Sequence, residues 1–232
     1  MPRGPRSIEA GLIYHVLNRG NGRLRLFRKD RDFAAFEKIL AESMQRYPVD
    51  LLTYCLLGNH WHLVLRPRTD QALSGMMRWL GVTHVRRHYA HYHLTDGGHM
   101  YQGRFKSFPV QDDSHFLTLC RYVEGNAVRA KLCADARQWT WGGLFARGSS
   151  DKPFELSNWP VDRPPQWASL VNREMERKQL ELMELSLKRG RPLGDDKWVQ
   201  RTARRLGLLY TLADVGRPRK MSQAATGGRN EK

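Results

Sequence analysis

The chain has 232 residues, 41% of them apolar, with seven Trp and eight Phe, enough to bury the core of one sizeable domain plus an appendage. Thirty-nine Lys and Arg face 23 Asp and Glu, giving a formal charge of +16 and a pI near 10.3. A field that positive selects a polyanionic partner, and nucleic acid is the commonest one for a basic protein.

Residues 12–17 read as a strand, followed by a Gly/Asn loop. Residues 30–46 form a helix, with Phe33, Phe36, Leu40 and Met44 on one face and Asp30 or Asp32 at its start. Residues 49–57 and 60–66 make a hairpin around Gly58-Asn59. A helix over 71–92, a strand over 100–110 and a helix from Asp112 or Asp113 to about Leu132 complete the series. The first six elements are those of a ferredoxin-like α+β fold: an antiparallel sheet with helices on one face, here followed by an extra helix. Trp139 and Trp141 close this domain, 1–148. A Ser/Pro/Asp-rich stretch, 149–165, reads as a linker. Residues 166–215 read as a helical appendage that binds DNA, its first helix running over 166–189, and 216–232 as a disordered basic tail.

No apolar run reaches the length of a membrane span, and the basic start lacks an apolar stretch after it, so a cytoplasmic protein without membrane contact is expected. Cys55, Cys120 and Cys133 lie far apart and form no CxxC, which points to buried thiols in place of a zinc ribbon or a disulfide framework.

His60-Trp61-His62 carries the chemical argument. On a strand, alternate side chains share a face, so two imidazoles point one way and Trp61 the other. Such a pair alone is more often structural than metal-binding. Tyr122 and Asn126, one turn apart on the final helix, supply a phenolic nucleophile and an amide oxygen as third ligand. His84, His88, His91 and His93 form a dense run without the glutamate of a zinc helix, and read as a DNA-facing or solvated surface. Arg104 and Lys106 share one face of their strand, suited to phosphate contact.

Three blocks then make a specific resemblance: Gly58-Asn59-His60-Trp61-His62-Leu63; Tyr101-Gln102-Gly103-Arg104-Phe105-Lys106-Ser107; and Arg121-Tyr122 with Asn126 and Val128-Arg129-Ala130. Together with Tyr14-His15-Val16 and Asn18-Arg19-Gly20-Asn21, they resemble REP-associated tyrosine transposases, bacterial relatives of the IS200/IS605 transposases within the HUH nuclease superfamily. The resemblance implies a metal-dependent single-stranded DNA endonuclease and strand transferase that nicks beside hairpins through a 5′-phosphotyrosine. Tyr122 would be the nucleophile, and His60, His62 and Asn126 the ligands of Mg²⁺ or Mn²⁺. The expected DNA contacts are Arg19, Arg104, Lys106, Arg121 and Arg129, with Arg217 and Arg219 in a Gly-Arg-Pro-Arg hook. A bacterial, nucleoid-associated protein is implied, monomeric or homodimeric. Where the family has Pro after the asparagine, Ala127 stands here, which removes a kink. Two other readings compete: a DNA-hairpin binder that no longer cuts, and a relaxase-type nickase of the same superfamily.

Overall fold

The computed structural model describes residues 7–95 and 98–213. Its elements are β1 (Ile13–Arg19), α1 (Asp30–Arg46), β2 (Val49–Leu57), β3 (His60–Pro67), α2 (Ala72–Tyr92), β4 (Lys106–Val110), α3 (Ser114–Glu124), and the short helices α4 (Asn126–Arg129), α5 (Gly143–Ala146) and α6 (Trp167–Asn172). Two more helices follow, α7 (Arg177–Arg189) and α8 (Asp196–Arg205). The four strands form one antiparallel sheet in the order β2-β3-β1-β4, the expected ferredoxin-like arrangement. Among the described residues no helix is long and apolar enough to cross a membrane.

Alternation along β3 divides the protein into two cores. Trp61, Leu63 and Leu65 pack with Phe36 and Leu40 of α1 and with Leu73, Met76 and Leu80 of α2. Val64, Cys55 and Leu57 pack on the opposite face with Phe116, Leu119 and Val123 of α3. A bulge between Leu51 and Thr53 reverses the alternation in β2, so Val49 and Leu51 before it and Tyr54 and Leu56 after it all join the first core. Asp32 performs the capping expected at α1: its carboxylate accepts from the backbone N–H groups of Arg28 and Lys29.

The 149–165 stretch lies against the sheet, while α6 and α7 pack on α3 and α7 also reaches β4. Ser157 N donates to Leu51 O at 2.9 Å and the Trp159 indole to Leu52 O at 2.9 Å; with Leu56 N donating to Trp141 O at 2.9 Å, the chain from Trp141 to Trp159 covers the outer edge of β2. Lys152 forms a buried ion pair with Glu37 at 2.8 Å. At the other edge, Leu193 exchanges hydrogen bonds with Pro109 O and Gln111 N around β4. Trp167, Val171, Met183 and Leu193 are members of the second core.

Three expectations change. The single helix over 166–189 is two, α6 and α7, separated at 173–176. Regular strand begins at Lys106, with residues 102–105 in a loop. The helix expected to reach Leu132 stops at Glu124, because Gly125 has φ −81° and ψ 0°. A Cβ there would lie 3.0 Å from Arg121 O and 3.2 Å from Val171 O, so α6 approaches closely only because residue 125 is glycine. The break is therefore present although Ala127 stands where the resemblance leads one to expect a proline. The expected tail over 216–232, with Arg217 and Arg219, lies outside the described residues.

If the C-terminal helices share the sheet's core, Trp167→Ala should destabilise the whole protein by about 3–5 kcal/mol in one urea transition. A separate transition for the C-terminal helices, with the sheet's midpoint unmoved, would refute this.

Candidate functional site

β3 is flanked by hydrogen-bonded strands on both sides, with Arg19 of β1 and Leu57 of β2 opposite His60, and Leu17 and Cys55 opposite His62. This fixes the backbone of both histidines and turns their side chains to the second face, where their ring centroids lie 5.1 Å apart. α3 crosses that face and brings the Tyr122 ring to 6.0 Å from the His62 ring, edge to face. Tyr122, His60, His62, Arg19, Arg104 and Lys106 line one cavity of about 630 Å³. The nucleophile candidate and the histidine pair are thus brought together, with three expected DNA-contacting cations around them.

Other expected site residues sit elsewhere. Asn126 is 8% exposed with its Nδ2 unpartnered, and it is not among the residues lining the cavity. Arg121 donates to the carbonyls of Leu170, Arg173 and Glu174 at 2.6 to 3.1 Å, where it fastens α6 and the turn after it to α3. Arg129 folds back over Tyr122: its guanidinium lies 4.3 Å from the ring centroid and donates to the Tyr122 carbonyl. The reading of the histidine run as solvated or DNA-facing is corrected for His84 and His88, which are 4% and 6% exposed. They follow Leu80 at four-residue steps and so continue the buried stripe of α2. The Trp61 indole donates to Tyr101 Oη at 3.0 Å, and that hydroxyl shares a further hydrogen bond with His84 Nδ1 at 2.6 Å.

Electrostatics follow burial. Burial pushes His60 down to about 4, with Arg19 adding to the effect. His62 is driven well below the usual imidazole range by burial, then by His15 and His60. Both are therefore uncharged at neutral pH, as ligands must be. Their remaining ring nitrogens suit a cation. His60 Nδ1 donates to Asn59 Oδ1 at 2.6 Å, which leaves a lone pair on Nε2. His62 Nδ1 faces another imidazole, and its buried Nε2 has no partner. Among the described residues no three His, Cys, Asp or Glu side chains gather to hold a metal unaided. The pair fits a cation completed by amide or water oxygens. The Tyr122 phenol is raised by burial; Arg129 and Arg19 work against the rise, while Glu184 adds to it.

Sequence reasoning missed His15, Glu184 and Lys188. His15 is wholly buried and touches His62; its position on β1 next to β3 was the available signal. Glu184 and Lys188 come to the cavity from α7, more than 60 positions after Tyr122, and no spacing rule connects them.

The family model described as IS200-like transposase matches residues 9–126, from just before β1 through α3 to Asn126. The chain belongs to the IS200-like transposase family. Among solved structures, a REP-associated tyrosine transposase bound to a REP hairpin is similar, with a TM-score of 0.51 and 16% identity over 70% of this chain and 94% of that one. A transposase structure from Deinococcus radiodurans R1 gives a TM-score of 0.38 and 17% identity over 57% of this chain and 92% of that one. No curated protein matches the chain. Family membership makes it a DNA-acting transposase, in keeping with its charge of +16.

The buried histidines make the metal-free transposase sensitive to acid. His15 and His84 are each lowered to about 3 by burial. Between those values and the ordinary 6.5, the unfolded chain binds protons that the native protein refuses. Stability is therefore complete above about pH 6.5 and falls as pH drops, by about 1.4 kcal/mol per pH unit for each such histidine. Urea midpoints measured from pH 7 to pH 4.5 should decline, and more shallowly in His84→Phe; a flat profile would contradict the assignment.

Proposed function

We propose that this transposase nicks single-stranded DNA beside hairpins such as REP-like palindromes, with Tyr122 as the attacking group. The observation that carries the proposal is the shared cavity: a phenol edge-on to a metal-competent histidine, beneath a cationic rim. In the reaction, Tyr122 Oη bonds to phosphorus as the bond from phosphorus to the 3′ oxygen breaks. The phenol loses its proton and the departing 3′ oxygen gains one. The product is a 5′-phosphotyrosine with a free 3′-OH. The phosphodiester's energy is kept in that linkage, so a different 3′-OH can attack it and rejoin strands without ATP.

The chain's residues divide the work. Arg129, packed over the Tyr122 ring, favours the phenolate against the cost of burial. A divalent cation, Mg²⁺ or Mn²⁺, held by His60 and His62 would draw charge from the scissile phosphate's oxygens. Asn126, four residues after Tyr122, is assigned the third ligand through its amide oxygen; it is buried and does not itself line the cavity, where Gln102 and Glu184 offer further oxygens. Arg19, Arg104 and Lys106 grip phosphates at the rim. Arg121 is engaged on α6 carbonyls and is assigned a supporting role.

The strand's path extends past this cavity. A second cavity of about 730 Å³ lies along β4 and α7 and shares Arg104, Lys106 and Lys188 with the first. It adds Arg189 and the 70% exposed Tyr210 at its border. Cations with an exposed aromatic are the usual equipment for unpaired DNA. In this reading α7 forms one wall of the groove, which gives the C-terminal helices their part in DNA binding.

Tyr122→Phe should bind a hairpin substrate within about threefold of wild type, an estimate allowing for one lost contact, and form neither covalent adduct nor nicked product. EDTA should abolish nicking by the wild type. Binding with no nick from wild-type protein in Mn²⁺ would favour the non-cutting reading. Replacing Lys188 and Arg189 together by Gln should flatten the salt dependence of single-strand binding by about 1.4 in log–log slope, from roughly 0.7 per phosphate contact. The nick should stay at the same phosphate. An unchanged slope would remove α7 from the DNA path.

A further inference from the structure

We infer that His15 is the positioning residue that makes His62 a metal ligand, by accepting the proton of His62 Nδ1. The inference rests on the assignment of His62 to the metal. His15 sits on β1 opposite Val64, diagonally across from His62 and on the same face. Its Nε2 lies 2.8 Å from His62 Nδ1, with ring centroids 5.0 Å apart and planes 30° from parallel. The two side chains belong to residues only 0% and 2% exposed, so no solvent competes for the contact.

Proton counting gives the contact its meaning. Two uncharged imidazoles have four ring nitrogens and two protons. A hydrogen bond between them uses one proton and leaves two arrangements. In the first, His62 Nδ1–H donates to His15 Nε2; His15 then carries its own proton on Nδ1, and His62 Nε2 presents a lone pair. In the second, His15 Nε2–H donates to His62 Nδ1, and the remaining proton is forced onto His62 Nε2. That nitrogen belongs to a side chain lining the cavity and has no partner in the protein. A proton there excludes a metal bond. Only the first arrangement coordinates a cation, and it requires an acceptor at residue 15. His15 Nδ1 and His62 Nε2 are both buried without a partner, so each arrangement leaves the same two nitrogens unpaired in the protein alone, and a cation on His62 Nε2 favours the first. His60 is set in the same sense by Asn59 Oδ1. The two ligands are therefore each oriented from behind, one by a loop amide and one by an imidazole on the adjacent strand.

The test uses full-length wild type, His15→Gln, His15→Leu and His62→Ala. Mn²⁺ binding is followed through the EPR signal of the free ion. His15→Leu keeps an apolar fit on the sheet but cannot accept, and should weaken Mn²⁺ binding by about tenfold or more, the usual range for losing a ligand's supporting partner. His15→Gln can accept through Oε1 and should stay within about threefold of wild type. The unmutated protein, loaded with Zn²⁺ as a diamagnetic probe, should show the His62 proton on Nδ1, with a through-hydrogen-bond coupling to His15 Nε2 in ¹⁵N NMR. Mn²⁺ binding that His62→Ala leaves intact would remove His62 from the metal site, and the failure would be that of the underlying assignment. Binding lost in His62→Ala but retained in His15→Leu would overturn the role of His15 alone. A Zn²⁺-loaded wild type without a proton on His62 Nδ1 would overturn it even if His15→Leu failed to fold.

Discussion

Glu124 is buried where β2, α3 and α6 meet, and its two oxygens accept from Thr53 Oγ1 and the Trp167 indole at 2.6 Å each. Burial raises this carboxyl, while the two donors work in the opposite sense. A carboxylate taken out of water is costly unless its lone pairs are met, so the three elements are held to one arrangement. Tyr122 stands two residues before Glu124 on the same helix. The position of the phenol over the histidines thus depends on a contact with the sheet on one side and with α6 on the other. Helix α6 lies beyond the 9–126 region that the family model matches. The region that the family model matches is fastened here by a segment outside it.

The same β-strand periodicity serves structure and chemistry at once. Trp61 anchors the first core and, through Tyr101, orients His84. One residue to either side, His60 and His62 face the cavity. A slip of one residue in the register of β3 would bury the imidazoles beneath α1 and α2 and present the indole to the cavity. The hydrogen bonds to both neighbouring strands, and the fully buried apolar side chains that follow in β3, prevent that slip.

Much of this was legible in the sequence because it rests on local spacing. The hairpin at Gly58-Asn59, the shared face of His60 and His62, and the apolar stripes of α1 and α3 all follow from periods of 2 or 3.6 residues. What escaped the reading depended on contacts between distant segments. Nothing in the spacing of Glu124 distinguishes a surface carboxylate from one that binds Thr53 and Trp167. The Ser/Pro/Asp-rich stretch has a linker's composition, yet Ser157 and Trp159 hydrogen-bond to an edge strand. The close approach of the Val171 carbonyl to Gly125, at the helix break, comes from a segment far along the chain. His84 and His88 were misread because their polarity outweighed their place on the α2 stripe, although the stripe itself was visible.

Both outer strands of the sheet are occupied, β2 by the backbone of 141–157 and β4 by the backbone around Leu193. Open edges are where one sheet recruits another chain as an additional strand. Here the edge groups at Leu51, Leu56, Pro109 and Gln111 are already bonded within the molecule. A second copy could extend this sheet only by first stripping away Trp141 or Leu193. Among the described residues, the segments around Trp141 and Leu193 thus act as built-in edge partners that shield these positions from an additional strand.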